Sequence, residues 1–144
     1  MYKHILVATD GSELSGRAVT TGLALAKQLK AKLTTLTATE PWSAMVMGEA
    51  ALMFPIKEYE KAAAEHAERI LAGVREAAKA AGVECETIHI SDFPAEAIVE
   101  TATAKGCDLI VMASHGRRGL SRFILGSQAM RVLALATMPV LVCR

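Results

Sequence analysis

Cysteine is scarce: Cys85, Cys107 and Cys143 are the only three in 144 residues, and they lie far apart. An odd, scattered set excludes both a disulfide framework and the close-spaced ligand pairs of a structural zinc site, so a reducing cytoplasm is the expected compartment. Aromatic residues make up only 4%, too few for the stacking on which single-stranded RNA recognition depends. Neither sign of charge dominates. Sixteen Lys and Arg stand against fifteen Asp and Glu, without the basic excess that binding to nucleic acid or an anionic membrane calls for. Apolar runs are short; none approaches the roughly 18 residues of a membrane span. The apolar stretch at residues 4–8 meets Asp10 almost at once, so it is not expected to be a signal-peptide core. Internal repeats, low-complexity tracts and linkers are also missing.

What is present is apolar material, 52% of the chain, which excludes disorder as the main state. A chain of this length buries about two-thirds of its extended surface on folding. That is enough for one core and too little for two, and one domain over residues 1–144 is expected.

Short β-branched runs at 3–8, 32–38, 83–90, 108–113 and 139–143 alternate with long alanine-rich stretches. This is the pattern of βαβ units and a parallel sheet. The run Asp108-Leu109-Ile110-Val111-Met112-Ala113 is almost unbroken in apolar character, as a strand covered on both faces should be. A helix is predicted over 12–30, capped by Ser12, with Leu14, Ala18, Leu25 and Leu29 on one face. A second follows Pro55, with Ile56, Tyr59, Ala63, Ala67, Ile70, Val74, Ala77 and Ala81 at helical spacing and Gly82 as its stop. A third opens at Asp92 and Pro94 and runs to Lys105, with Gly106 beyond it. The fourth begins near Gly126-Ser127 and ends before Pro139. The expected fold is α/β: a single doubly wound, Rossmann-like, five-stranded parallel sheet with helices on both faces. Residues 41–55 are the exception, too apolar for a solvated loop, with Trp42, Met45, Val46, Met47, Leu52, Met53 and Phe54. They read either as a loop folded over the core or as a lid or partner-binding patch.

In an open parallel sheet, ligands bind beyond the carboxyl ends of the strands, where strand order reverses. Two segments occupy that place: Thr9-Asp10-Gly11-Ser12, and the stretch from Ser114-His115-Gly116 to Gly126-Ser127. Glycines at both ends of the second allow backbone to approach a ligand, and Gly126-Ser127 opens a helix whose free N–H groups face the loop. Arg117, Arg118 and Arg122 concentrate positive charge there. Small residues, a helix start and local positive charge suit a polyphosphate. A tight left-handed turn followed by a solvated basic loop accounts for the same spacing.

Other signatures fail. Gly11 to Ala18 has P-loop glycine spacing but lacks the lysine and the hydroxyl, and no G-x-G-x-x-G follows the first run. Gly116-Arg117-Arg118-Gly119 matches the GXXG of RNA-binding KH domains, but after a strand of a parallel sheet, so no nucleic-acid partner is expected. His4, His66 and His89 form no ligand spacing with one another. His115 is placed either to donate to an anion or to orient its loop. No nucleophile–base pair stands out, so a binding site is better supported than an active site.

These residues resemble the universal stress protein family, and the likeness covers the whole chain. Ile5 to Ser12 looks like that family's first strand and turn, Asp92 to Ile98 like the start of its third helix, and Asp108 to Gly116 like its fourth strand. The nucleotide-binding branch carries Gly, two residues, Gly, nine residues, then Gly and Ser or Thr. Gly116, the nine residues 117–125 and Gly126-Ser127 match its last two glycines and hydroxyl, whereas Ala113 stands where the first glycine would be. The resemblance implies bound ATP with magnesium. Asp10 would meet the ribose or the metal, and Ala38 and Met112 would frame the adenine. Gly116, Gly126, Ser127 and Gln128 would hold the phosphates, and Ala8, Thr9, Ala113, His115 and Arg117 would border the nucleotide. It also implies a cytoplasmic stress-response regulator, a homodimer through Val140-Leu141-Val142 at the sheet edge, and a protein partner that the sequence does not name. The rival readings are an interaction protein with no nucleotide and a slow ATPase.

Overall fold

The five β-branched runs pair side by side as β1 (His4–Ala8), β2 (Lys32–Thr39), β3 (Cys85–Ser91), β4 (Leu109–Ala113) and β5 (Val140–Cys143). All pairings are parallel, and the order across the sheet is β3-β2-β1-β4-β5. The computed structural model describes residues 1–45, 55–116 and 124–144. Five helices occur among them: α1 (Glu13–Leu29), α2 (Trp42–Met45), α3 (Ile56–Ala81), α4 (Pro94–Lys105) and α5 (Ser127–Leu135). The predicted doubly wound architecture is observed, with β5 at one edge and β3 at the other.

β1 lies at the centre, and Ile5, Leu6 and Val7 are fully buried. Ile5 and Val7 join Leu33, Val111 and the inner residues of α1 and α3 in one core layer. Leu6 joins Leu36, Ile110, Met112 and the inner residues of α4 and α5 in the other. A strand that supplies both layers must be apolar at every position, and each such side chain contributes about 1.5–3 kcal/mol. Burial raises the Cys85 thiol pKa and pushes that of Cys107 up to about 11, and all three cysteines are free.

The helix ends follow the sequence reading. Ser12 caps α1 by accepting from the Ser15 N–H at 3.2 Å, while Gly82 and Gly106 close α3 and α4. The buried faces follow it only in part: Ala18, Ala67 and Val74 are buried as expected, and the large residues named beside them are not. In α1 the inward residues are Ser15, Ala18, Gly22, Leu23 and Ala26, while Leu29 is exposed. The cause is Gly22: a Cβ there would lie 2.3 Å from Val7 Cγ2. The helix sits so close to β1 at Gly22 that no larger residue fits there, and Leu14, Leu25 and Leu29 lie to the flanks. In α3 the core line is Ala67, Leu71, Val74 and Ala78, and Ile56 is exposed. Of residues 41–55, only α2 and the flanking residues are placed; 46–54, with Val46, Met47, Leu52, Met53 and Phe54, lie outside the described residues.

Candidate functional site

Strand lengths create the site. The β1–β2 ladder ends with Ala8 opposite Leu36 and the β1–β4 ladder with Val7 opposite Val111, yet β2 continues to Thr39 and β4 to Ala113. The chain leaves β1 toward β2 on one side and reaches β4 only later on the other. The notch above β1 is therefore the topological switch point of the sheet. A cavity of about 610 Å³ opens there, a size suited to a small-molecule ligand.

One half is apolar, lined by Leu36, Ala38, Pro94, Ile98 and Met112. Backbone polarity enters this half from β2. Thr9 N–H donates to Leu36 O at 2.9 Å, so even-numbered β2 residues turn their peptide groups toward β1, while Asp92 N–H takes Thr39 O on the other side. Ala38 keeps the β1-facing direction two residues beyond the last rung. No described residue pairs with that edge of it.

The other half is polar. After β1 the chain turns through Asp10, whose Oδ1 accepts from Ser12 N–H at 2.9 Å. Thr9 Oγ1 meets Ser15 Oγ at 3.0 Å and accepts from Gly11 N–H at 3.2 Å, so the turn is fixed by its own side chains. Opposite it, β4 is followed by Ser114, whose N–H donates to Cys143 O at 2.7 Å. The carbonyl of Ser114 in turn accepts from Gly126 N–H at 2.8 Å, which brings the start of α5 against the end of β4. Gly126 has φ −61°, so the left-handed turn that its spacing also allowed does not occur there. Its role is close approach: a Cβ would lie 2.7 Å from Ser114 O and 3.3 Å from His115 Cα. A Cβ at Gly116 would come to 3.0 Å from Asp10 Oδ2, so the two loops meet at that point.

The N-cap residue Gly126 offers α5 no side-chain cap, and the first intrahelical bond runs from Met130 N–H to Gly126 O. The N–H groups before Met130 therefore lack intrahelical acceptors at the positive end of the helix dipole. The Gln128 side chain turns away from that task. Its Oε1 accepts from Ala95 N–H at 3.2 Å, capping α4, and Arg131 pairs with Glu96 along the same seam. The Arg131 hydrogen bond holds the Glu96 carboxyl below its usual pKa. The starts of α4 and α5 are thereby clamped together.

Of the residues chosen from sequence, Ala8, Thr9, Asp10, Ala38, Met112, Ala113, His115, Gly116, Gly126, Ser127 and Gln128 all line this cleft. Arg117 lies outside the described residues, as do Arg118 and Arg122. His115 bonds the Ser114 hydroxyl through Nδ1 at 3.0 Å. His4 and His89 are engaged by Thr34 and Thr39, both at 2.8 Å, apart from the cleft. Leu36, Glu40, Pro94 and Ile98 also line it and were missed by sequence reasoning. Strand alternation from Ala38 would have found Leu36 and Glu40. Among the described residues no group of three or more His, Cys, Asp or Glu could hold a metal ion by itself.

The family model described as the universal stress protein family matches residues 1–144. The chain belongs to that family. It is 33% identical to universal stress protein YxiE of Bacillus subtilis, over the full length of both chains. Among solved structures, universal stress protein UspA from Lactobacillus plantarum superposes with a TM-score of 0.88 at 26% identity, covering 99% of this chain and 98% of that one. A universal stress protein in complex with cAMP superposes with a TM-score of 0.70 at 28% identity, covering 98% and 95%. No helix among the described residues of this universal stress protein is long and apolar enough to cross a membrane.

Proposed function

We propose that this universal stress protein, as one domain over residues 1–144, binds ATP in the switch-point cleft and acts as a ligand-dependent regulator. The carrying observation is the division of the cleft. An apolar half with an open strand edge faces a polar half built on an uncapped helix start. The N–H and C=O of one residue, Ala38, match the adjacent acceptor and amino donor on the pairing edge of adenine. Leu36, Ile98 and Met112 provide apolar faces for the ring. At the other end, N–H groups of Ser127 and Gln128 and the Ser127 hydroxyl suit phosphate oxygens. The cAMP complex of a relative supports an adenine nucleotide. Asp10 supplies a carboxylate to the polar half of the cleft, which fits magnesium, since that ion is commonly held by one or two carboxylates together with ligand phosphates. The metal would supply charge neutralisation there. The three free cysteines agree with a cytoplasmic setting.

Thermal unfolding tests the reading. ATP at about 100 times its Kd contributes about 2.7 kcal/mol, roughly an 8 °C rise in Tm for a chain of this size. AMP, which cannot extend as far toward α5, should give a clearly smaller rise at equal concentration. Equal rises with both would remove the helix start from the site, and no rise with either would sink the nucleotide reading.

The same proposal includes a homodimer through β5. One side of β5 pairs with β4 and the other is a sheet edge, and Leu141 is 38% exposed. An apolar edge with unpaired N–H and C=O groups invites a second copy. Light scattering should report a dimer at tens of micromolar and a monomer for Leu141→Asp. A monomeric wild type would refute this arrangement.

A further inference from the structure

Glu40 stands at the rim of the apolar half, two residues beyond Ala38 and about 7 Å further along the strand direction. Alternation turns its side chain to the face that Leu36 and Ala38 present to the cleft. The backbone around it is tied down on both sides. Tyr59 Oη donates to the Glu40 carbonyl at 2.8 Å, and Asp92 N–H donates to Thr39 O at 3.0 Å. The half-buried carboxylate makes no hydrogen bond or ion pair with any described residue. Leu36, Ala38, Pro94 and Ile98 share the lining with it, and no described Lys or Arg lines the cleft. A carboxylate acceptor carried on a fixed backbone, beside an apolar wall, is complementary to a donor on the ring edge.

Resting on the nucleotide reading above, we propose that Glu40 is a specificity-determining residue, accepting a hydrogen from the 6-amino group of the base. That amino group carries two hydrogens. One suits the Ala38 carbonyl, and the second is left for Glu40. A 6-oxo purine presents an acceptor at the same place, so its oxygen would face the carboxylate with no hydrogen between them. A site built around such a donor rejects the analogue that lacks it far more strongly than an apolar pocket can.

The test is calorimetric titration with ATP and with inosine 5′-triphosphate, which share ribose and triphosphate and differ at position 6. Wild type should bind ATP at least roughly 30-fold tighter than the inosine nucleotide. Glu40→Ala should cut that ratio about tenfold, the size of one charge-assisted hydrogen bond, mainly by weakening ATP. Glu40→Gln, whose amide can accept from an amino group or donate to an oxo group, should also lower the ratio, here by raising affinity for the inosine nucleotide, while the Ala38 N–H and C=O keep a preference for ATP. Because the ratio is taken within each variant, a general loosening of the cleft cancels from it. An unchanged ratio in both variants, with ATP still bound, would overturn the role of Glu40 and leave the nucleotide reading standing. An equal gain for both nucleotides would also overturn it, since the carboxylate would then merely repel the triphosphate. Binding of neither nucleotide by the wild type would defeat the parent reading, and this one with it.

Discussion

Gly22→Val should lose roughly 3 kcal/mol or more of stability, a large share of the 5–15 kcal/mol typical of a small domain. The added Cβ would sit 2.3 Å from Val7 Cγ2, with Leu33 Cδ1 at 3.8 Å behind it. Val7 has nowhere to go: it is fully buried in β1, which is paired with β2 on one side and β4 on the other. Either α1 lifts from the sheet or the strand bends, and both open the layer that Ile5, Ala18 and Leu33 share. Val7→Ala removes the clashing methyl, so the damage should be coupled. Gly22→Ala should cost about 1–2 kcal/mol less in a Val7→Ala background than in wild type. Gly16 and Gly73 serve as controls, since nothing lies within 4 Å of a Cβ at either. Their alanine variants should be neutral or gain up to about 1 kcal/mol of helix propensity. Urea unfolding of the set measures all of this. A Gly22→Ala protein as stable as wild type would show that the α1–β1 spacing is not fixed.

Gly126→Val should abolish the rise in Tm caused by ATP and also lower the nucleotide-free Tm, by about 2 kcal/mol of stability. Both effects have one cause. The new Cβ would meet Ser114 O at 2.7 Å and His115 Cα at 3.3 Å, backbone atoms that cannot rotate away as a side chain would. To relieve this, the start of α5 must move off β4, breaking the Gly126 N–H bond to Ser114 O. The N–H groups proposed for phosphate binding move with it. Glycine at 126 is thus demanded by the protein's own packing before any ligand is considered. An ATP-induced rise in Tm that survives in Gly126→Val would place the nucleotide elsewhere.

How far the sequence could be read depended on what hydropathy and turn chemistry report. The run at 108–113 was legible because a strand covered on both faces is apolar throughout, and its four companions through their β-branched content, all within about two residues. Helix limits were legible through Ser12, Pro94, Gly82 and Gly106, whose effects are local. The α1 face was read correctly at Ala18 but not at Leu14, Leu25 and Leu29, which periodicity weights most, because the line that meets the sheet is Ser15, Ala18, Gly22 and Ala26. Small residues carry little hydropathy signal, so a helix that packs by closeness is invisible to a pattern of large ones.

The sequence by itself determined the βαβ order, the family, and the two loops that meet above β1, since each is written in contiguous residues. Tertiary structure alone decided that β2 and β4 outrun β1, which leaves the Ala38 backbone edge and Glu40 facing the same cleft. It also decided that the Gln128 side chain caps α4 while Gly126 lies on Ser114. These depend on distances between elements far apart in the chain. Such distances are set by which side chains fill the layers on either side of the sheet, and no local pattern of residues encodes them.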